Sequence, residues 1–310
     1  MIISNKLMIA IFVFFNLMVI CGLQASDINA LNSKGKIAFI AVHMEVGGTP
    51  KTLDYQANMW PTLIRLVQAA DNHSIKLTLQ FNPQWASYIV ADDMRLKILR
   101  TWGRNGHEIA LHHHGPGHSD WNGYTNKEDM KSHSDYIGDI REMMAIVRRM
   151  SYTGKILTGG ITNEDTDWPY GVKYDTNGGK SPDSLFSTPE NKVFNGRKVI
   201  QLEYRAYCTT IKGDADFDEI QSACSSFDET KVMGIVFHCH DYSKKNQRYL
   251  GIDRLFSFLS RQNIKVRAVK DILFSRYHYL PVNHSEKNVT VRRGSQVLRT
   301  PESTWNTYFE

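Results

Sequence analysis

The chain has 310 residues, 42% of them hydrophobic and 22% charged, with a formal net charge of +5 and no low-complexity tract. That is the profile of an ordinary globular protein with a sizeable core, and it speaks against disordered and fibrous classes. Lysines and arginines are interleaved with acids rather than gathered into blocks, so the composition also speaks against nucleic acid as a partner.

Residues 1–26, MIISNKLMIAIFVFFNLMVICGLQAS, carry one lysine, an apolar stretch broken by Asn16, and then small and polar residues. This pattern predicts a secretory signal peptide cleaved after Ala25, or an uncleaved N-terminal anchor. Cys21 offers lipid attachment as an alternative, although the bulky Ile20 before it fits a lipoprotein signal poorly. The expected location is therefore secreted or periplasmic, with membrane contact only through residues 1–25. No later segment is apolar for long enough to span a bilayer. An oxidising compartment permits disulfides, and Cys208 and Cys224 could pair around a short loop or remain thiols.

After a spacer at 26–35, Lys36 to Glu45 (KIAFIAVHME) is an apolar run with a polar end, the pattern of a strand buried on both faces. MWPTLIRLVQAADNHS then has helical spacing, and IKLTLQF reads as a second strand. Asp92 to Arg104 predicts a helix stopped by Gly106, HEIALHHH a third strand, and Lys127 to Met150 a long helix with Ile137, Ile140, Met144 and Val147 on one stripe. Further strands are expected at Lys155 to Leu157, Lys198 to Leu202, Val232 to His238 and Lys265 to Ala268, with an amphipathic helix over Asp253 to Gln262. Residues 159–195 are rich in Gly, Pro, Asn, Asp and Ser and read as a loop excursion, and residues 276–310 as a polar tail. Alternating strands and helices predict an α/β fold, a barrel or an open doubly wound sheet. No G-x-G-x-x-G follows the first strand, which weakens the dinucleotide-binding form of the open sheet.

Eight of the twelve histidines lie in three short segments at predicted strand ends: His43-x-Glu45, GHEIALHHHGPGH (Gly106 to His118), and His238-x-His240 followed by Asp241. Strand alternation puts His112 and His114 on one face and His113 on the other with Ile109 and Leu111. Gly115, Pro116 and Gly117 bend the chain so that His118 can return to the same point. In a parallel barrel the carboxyl ends of the strands converge on one rim, so three distant segments can build one site. Neutral imidazoles suit one divalent transition metal, zinc first, bound by about three protein ligands with a position left for water. His112, His114 and His118 are the candidate ligands. Glu45 is the candidate base for the activated water, and His238 or His240 the candidate acid for the leaving group.

These segments resemble the polysaccharide deacetylase family, the chitin and peptidoglycan deacetylase-like homology domain. GHEIALHHHGPGH looks like its second motif, which leads into two metal-binding histidines spaced H-x-x-x-H. KIAFIAVHMEVGG occupies the place of its Thr-Phe-Asp-Asp-Gly motif, and GIVFHCHDY resembles the strand carrying its acid histidine. The resemblance runs from about Lys36 to Leu273, and implies a deformed (β/α) barrel, residues 36–275, that removes N- or O-acetyl groups from polymers of acetylated sugars. The expected partner is thus an acetylated polysaccharide or oligosaccharide. Two departures stand out. Val46 lies where the family has its metal-binding aspartate, so either histidines alone hold the metal or His43 or Glu45 substitutes, and NEDTDWPYG lacks the arginine that orients the base; Arg205 is a candidate replacement. The motif spacing leaves open whether His112 or His114 is the first ligand. Trp168 and Tyr170, from the same segment, are expected to stack on a sugar ring or to serve as packing anchors.

The expected function is an exported, metal-dependent hydrolase of acetylated glycans, with Glu45 as base and His238 as acid. A carbohydrate-binding protein that kept the barrel and lost catalysis, or a hydrolase of another non-peptide amide, are the alternatives. A glycosidase needs two facing carboxylates, for which only Glu45 with Asp241 or Asp167 come into question.

Overall fold

β1, Ile37–Met44 (IAFIAVHM), is buried along nearly its whole length because both of its faces meet apolar partners. The computed structural model describes residues 35–178, 185–207 and 215–277. In it, β1 pairs in parallel with β2, Thr78–Phe81, which pairs with β3, Glu108–His113, and then β4, Thr158–Ile161. The order continues through β5, Tyr174–Gly178. Two short strands follow, β6, Phe186–Ser187, antiparallel to the segment Val232–His238, and β7, Glu190–Phe194, antiparallel to the segment Arg197–Ala206. β8, Arg197–Ala206, and β9, Val232–His238, complete the ring, and β9 pairs back onto β1 from Ala38 to His43. Seven parallel strands therefore close into a barrel, and the expected deformed (β/α) barrel is borne out. β10, Lys265–Val266, adds beside the start of β1.

Side-chain alternation sorts β1 into two cores. Ala38, Ile40, Val42 and Met44 face outward against the helices Asp54–Asn72 and Tyr249–Arg261, contributing Leu63, Leu66, Leu255 and Phe256. Phe39 and Ala41 face inward and pack with Leu202, Val236, Val269, Ile272 and Leu273. The last three residues belong to the helix Val269–Tyr277, which closes the barrel at the amino ends of its strands. Its first backbone N–H groups are satisfied from inside the barrel: Val269 donates to Thr78 Oγ1 at 3.0 Å and Lys270 to Glu108 Oε2 at 3.0 Å. The sequence reading did not contain this helix.

Two expected elements are corrected. The long helix over Lys127 to Met150 is a loop with a short 3₁₀ turn, and the α-helix covers only Ile140–Val147. Asp139 and Glu142 form a reciprocal capping box that starts the helix there, after a polar stretch with Gly138. Residues 159–195 are not one loop excursion, since β4, β5, β6 and β7 fall wholly or partly within them. The apolar signal is weak because β4 is TGGI. A Cβ at Gly160 would lie 2.6 Å from Gln80 Oε1, so glycine there leaves room for the Gln80 side chain. Gln80 in turn donates to Thr176 Oγ1 at 2.6 Å, and the barrel wall here is held by polar pairs rather than by aliphatic packing.

Behind β3, His113 and Asp167 are wholly buried, with His113 Nε2 3.1 Å from Asp167 Oδ2 and His113 Nδ1 3.1 Å from Asn122 Oδ1. Asp167 also accepts from Thr125 Oγ1, Asn126 N and Asn163 Nδ2. One carboxylate thereby fastens the loops after β3 and β4 to the barrel, and it faces away from the histidine-lined rim. We expect Asp167→Ala to destabilise the fold by about 3–5 kcal/mol, because it leaves buried donors unpaired; the midpoint of urea unfolding measures it.

Residues 1–34 and Cys208 lie outside the described residues, so the leader and the Cys208–Cys224 pairing stand as expectations. Cys224 itself is buried. Among the described residues no helix is long and apolar enough to cross a membrane. Residues 278–310, most of the expected tail, also lie outside them.

Candidate functional site

Five of the expected residues converge at the carboxyl rim of the barrel. His43 is the last inward-facing residue of β1, and Glu45 follows the strand end. His112 is the last inward-facing residue of β3, His114 lies just beyond it, and His238 ends β9. The register sets His43 beside His238 across the β1–β9 seam. Hydrogen bonds hold the backbone after β1 in place: Trp85 Nε1 donates to the Glu45 carbonyl at 3.1 Å, and Gln56 Nε2 to the Val46 carbonyl at 3.1 Å.

The Glu45 carboxylate sits among three imidazoles. Its Oε1 is 3.1 Å from His112 Nε2 and 3.2 Å from His238 Nε2, and its Oε2 is 3.2 Å from His114 Nε2. His43 stacks on His112 with ring centroids 4.0 Å apart. Burial alone would raise the Glu45 pKa, but the charge of His112 and the hydrogen bonds from His112, His114 and His238 outweigh it and hold the carboxyl far below the usual range. Burial lowers the pKa of His43, with His112 acting in the same direction, and burial likewise lowers that of His114. His238 goes the other way: burial opposes its charge, but hydrogen bonds to Asp241 and Glu45 prevail and push its pKa up to about 9.

Asp241 is the orienting group for His238. Its Oδ2 accepts from the His238 backbone N–H at 2.9 Å and lies 3.5 Å from His238 Nδ1, leaving Nε2 directed at Glu45. Arg248 stands 3.5 Å from the other oxygen, Oδ1. His240 stacks 5.0 Å from His238 and meets the Tyr55 hydroxyl at 3.3 Å, so it borders the site rather than facing Glu45. Gly47 lets Tyr55 lie there. At φ +69° it adopts a left-handed conformation, and a Cβ on it would come within 2.1 Å of the Tyr55 ring.

His43, Glu45 and His112 have ligand atoms within 4.8 Å of one another, a spacing that could hold one metal ion. The donor set, imidazoles with a carboxylate, suits zinc and its neighbours. His43 Nε2 is buried without a hydrogen-bond partner, and neither ring nitrogen of His114 makes a hydrogen bond of good geometry. Buried polar atoms usually have partners, so His43 Nε2 is an atom that an ion would satisfy. His238, His240 and Asp241 form a second such group, but Arg248 and the His238 backbone already occupy its carboxylate.

The site opens into a cavity of about 630 Å³ lined by His43, Glu45, Tyr55, His114, Tyr204 and His238, among others. His118 stacks on His114 at 3.7 Å, but its side chain is 40% exposed and its Nδ1 accepts from the Asp120 backbone. The compact donor group therefore contains His112, not the H-x-x-x-H pair.

Three expectations are corrected. Trp168 is 1% exposed, packs against Phe194 and donates to the Val172 carbonyl, so it anchors the core and is closed to a sugar. Tyr170 is exposed but does not line the cavity; its carbonyl accepts from Arg148 and its ring lies beside Arg197. Arg205 pairs with Asp216 and Glu219 and takes no part in the site. The sequence reading missed Tyr55, Tyr204 and Asp241's orienting role. Asp241 was findable, because it follows His238 at capping-box spacing; a tyrosine in mid-strand carries no such signal.

No family model matches the sequence, and no curated protein matches it. Among solved structures, an allantoinase aligns over 78% of this chain and 90% of its own with a TM-score of 0.54 and 14% identity. A probable polysaccharide deacetylase from Pseudomonas aeruginosa PAO1 aligns over 78% and 91%, with a TM-score of 0.52 and 12% identity. A 4-alpha-glucanotransferase from Thermococcus litoralis aligns over 77% of this chain and 40% of its own, with a TM-score of 0.53 and 12% identity. Likeness at these identities concerns the backbone, and one backbone can carry unrelated chemistries. The chain thus has the barrel fold of the polysaccharide deacetylases and of allantoinase.

Proposed function

We propose that this chain is an exported, metal-dependent hydrolase that removes acetyl groups from an N- or O-acetylated glycan. The observation that carries the reading is the Glu45 carboxylate held by three imidazoles at 3.1–3.2 Å on the wall of an open cavity. The fold shared with an allantoinase and a polysaccharide deacetylase supports a carbon–nitrogen or ester bond as the target. The cavity volume falls among those of small-ligand pockets, roughly 300–1,000 Å³.

In this reading zinc would be held by His43, Glu45 and His112. Val46 is aliphatic and buried, so the nearby carboxylate that can serve as the anionic ligand is Glu45. That moves Glu45 from the base role expected from the sequence. A carboxyl held so far below its usual range has little affinity for a proton, whereas an effective base has a pKa near the working pH. The bound ion would lower the pKa of water and polarise the acyl carbonyl. His114, buried and neutral, takes the proton of the attacking water. His238, protonated and oriented by Asp241, donates its Nε2 proton to the leaving nitrogen or oxygen as the acyl bond breaks. Tyr55 and Tyr204 flank the acyl group.

Acetate release from N-acetylhexosamine oligosaccharides by the purified chain, with added zinc and with chelator, tests the reading. Glycan binding without acetate, unchanged in Glu45→Gln, would make the chain a binding protein. Cleavage of small non-peptide amides alone would keep the site and change the substrate. The acid assignment has its own signature. His238 is active while protonated, so the rate falls as pH rises through about 9. Asp241→Asn removes a hydrogen bond that raises that pKa and is expected to bring the limb down by about one unit or more, read from the pH–rate profile. Export predicts a mature protein beginning at Ser26, which N-terminal sequencing of the secreted product would reveal.

A further inference from the structure

The opposite end of the barrel holds a second cavity, of about 290 Å³. It lies at the amino ends of the strands, bounded by Glu108, the first residue of β3, by Leu157 just before β4, and by Lys270 of the closing helix. Four cationic side chains line it: Arg100, Arg104, Lys155 and Lys270. The acid among the lining residues is Glu108, and it is already engaged. It accepts from Thr78 Oγ1 at 3.2 Å, Thr158 Oγ1 at 2.6 Å and the Lys270 backbone at 3.0 Å, and is 1% exposed.

Among the described residues none of the four cations forms an ion pair. Arg104 reaches only Thr101 on its own helix, and Arg100 donates to the Arg149 carbonyl while its Nε is buried without a partner. The helix dipole accounts for Arg104, which stands in the last turn of Asp93–Arg104. It does not account for Lys270, in the first turn of its helix where a cation is disfavoured, nor for Lys155, which is in a loop. Like charges gathered around a cavity destabilise the fold unless an anion offsets them.

We infer that this cavity binds a small phosphate ester. Two guanidinium groups and two ammonium groups suit a dianionic phosphate, guanidinium by its planar fork and ammonium as a point charge. Ile109, Met150 and Leu157 give the wall an apolar part for the organic body, and Tyr152 is 77% exposed beside it. The site is independent of the histidine rim, so the inference stands whether or not the hydrolase reading does.

The test is titration calorimetry of the full chain with inorganic phosphate and with glycerol 1-phosphate. Saturable binding of the ester, tighter than that of inorganic phosphate, is expected. It should weaken at least tenfold in the double variant Arg104→Glu/Lys155→Glu, which alters two exposed residues and leaves zinc content unchanged. If that variant melts early, the single variant Lys155→Gln is expected to weaken binding about threefold. Binding unaffected by either variant, or absent for both ligands, overturns the inference. Co-sedimentation with phosphatidylglycerol vesicles but not phosphatidylcholine vesicles, without binding of the soluble ester, also overturns it and makes the basic end a membrane-facing surface.

Discussion

Glu45→Gln is expected to lower acetate release by at least about 100-fold and to reduce bound zinc. The physical argument rests on what the amide cannot do. The carboxylate lies 3.1–3.2 Å from His112, His114 and His238 at once, and an amide would replace one of its two acceptor oxygens by a donor NH₂. The NH₂ group would oppose any partner nitrogen that carries a proton, and the negative charge that favours protonated His238 would be gone. Activity and metal content separate the roles. Loss of both makes Glu45 a ligand, whereas lost activity with zinc retained returns it to the role of base. Normal activity with normal zinc would sink both.

The second large effect concerns His112. Near one zinc per purified chain is expected, falling well below that in His112→Ala, as measured by metal analysis. The ring packs between His43 and His114, its Nδ1 lies 3.1 Å from the Gly160 carbonyl, and its Nε2 faces Glu45, so both position and orientation are set before any ion arrives. That carbonyl contact is the outer partner that fixes a metal-binding imidazole. Zinc at 100 times its dissociation constant should stabilise the native chain by about 2.7 kcal/mol, and His112→Ala should lose that zinc-dependent rise in melting temperature. If the chain takes up no zinc, the hydrolase mechanism proposed above has to be withdrawn.

The site was legible in outline because its residues stand at strand ends. KIAFIAVHME and GIVFHCHDY each show an apolar run ending in polar chemistry, and that boundary is the barrel rim. Alternation separated inward His112 from outward His113, and the structure has His113 paired with Asp167 behind β3. The misreadings within residues 159–195 share one cause. β4 and β5, TGGI and YDTNG, carry little apolar periodicity, because their contacts are polar pairs such as Gln80 with Thr176 and Gln201 with Asp175. Local composition reports apolar burial well and paired polar burial poorly. The same blindness made Trp168 and Tyr170 look alike, though one is core and the other surface.

By itself, the sequence determined the alternating α/β architecture and the strand ends that carry histidines. Those are properties of short windows, set by side-chain period and by residue type. Only the tertiary structure decided that β9 closes onto β1, which brings His43 and His238 together from opposite ends of the chain. It also decided that Glu45 faces three imidazoles, and that four cations meet at the far end around a buried Glu108. Such meetings depend on barrel closure and register, which couple residues nearly two hundred positions apart and leave no mark on either segment alone.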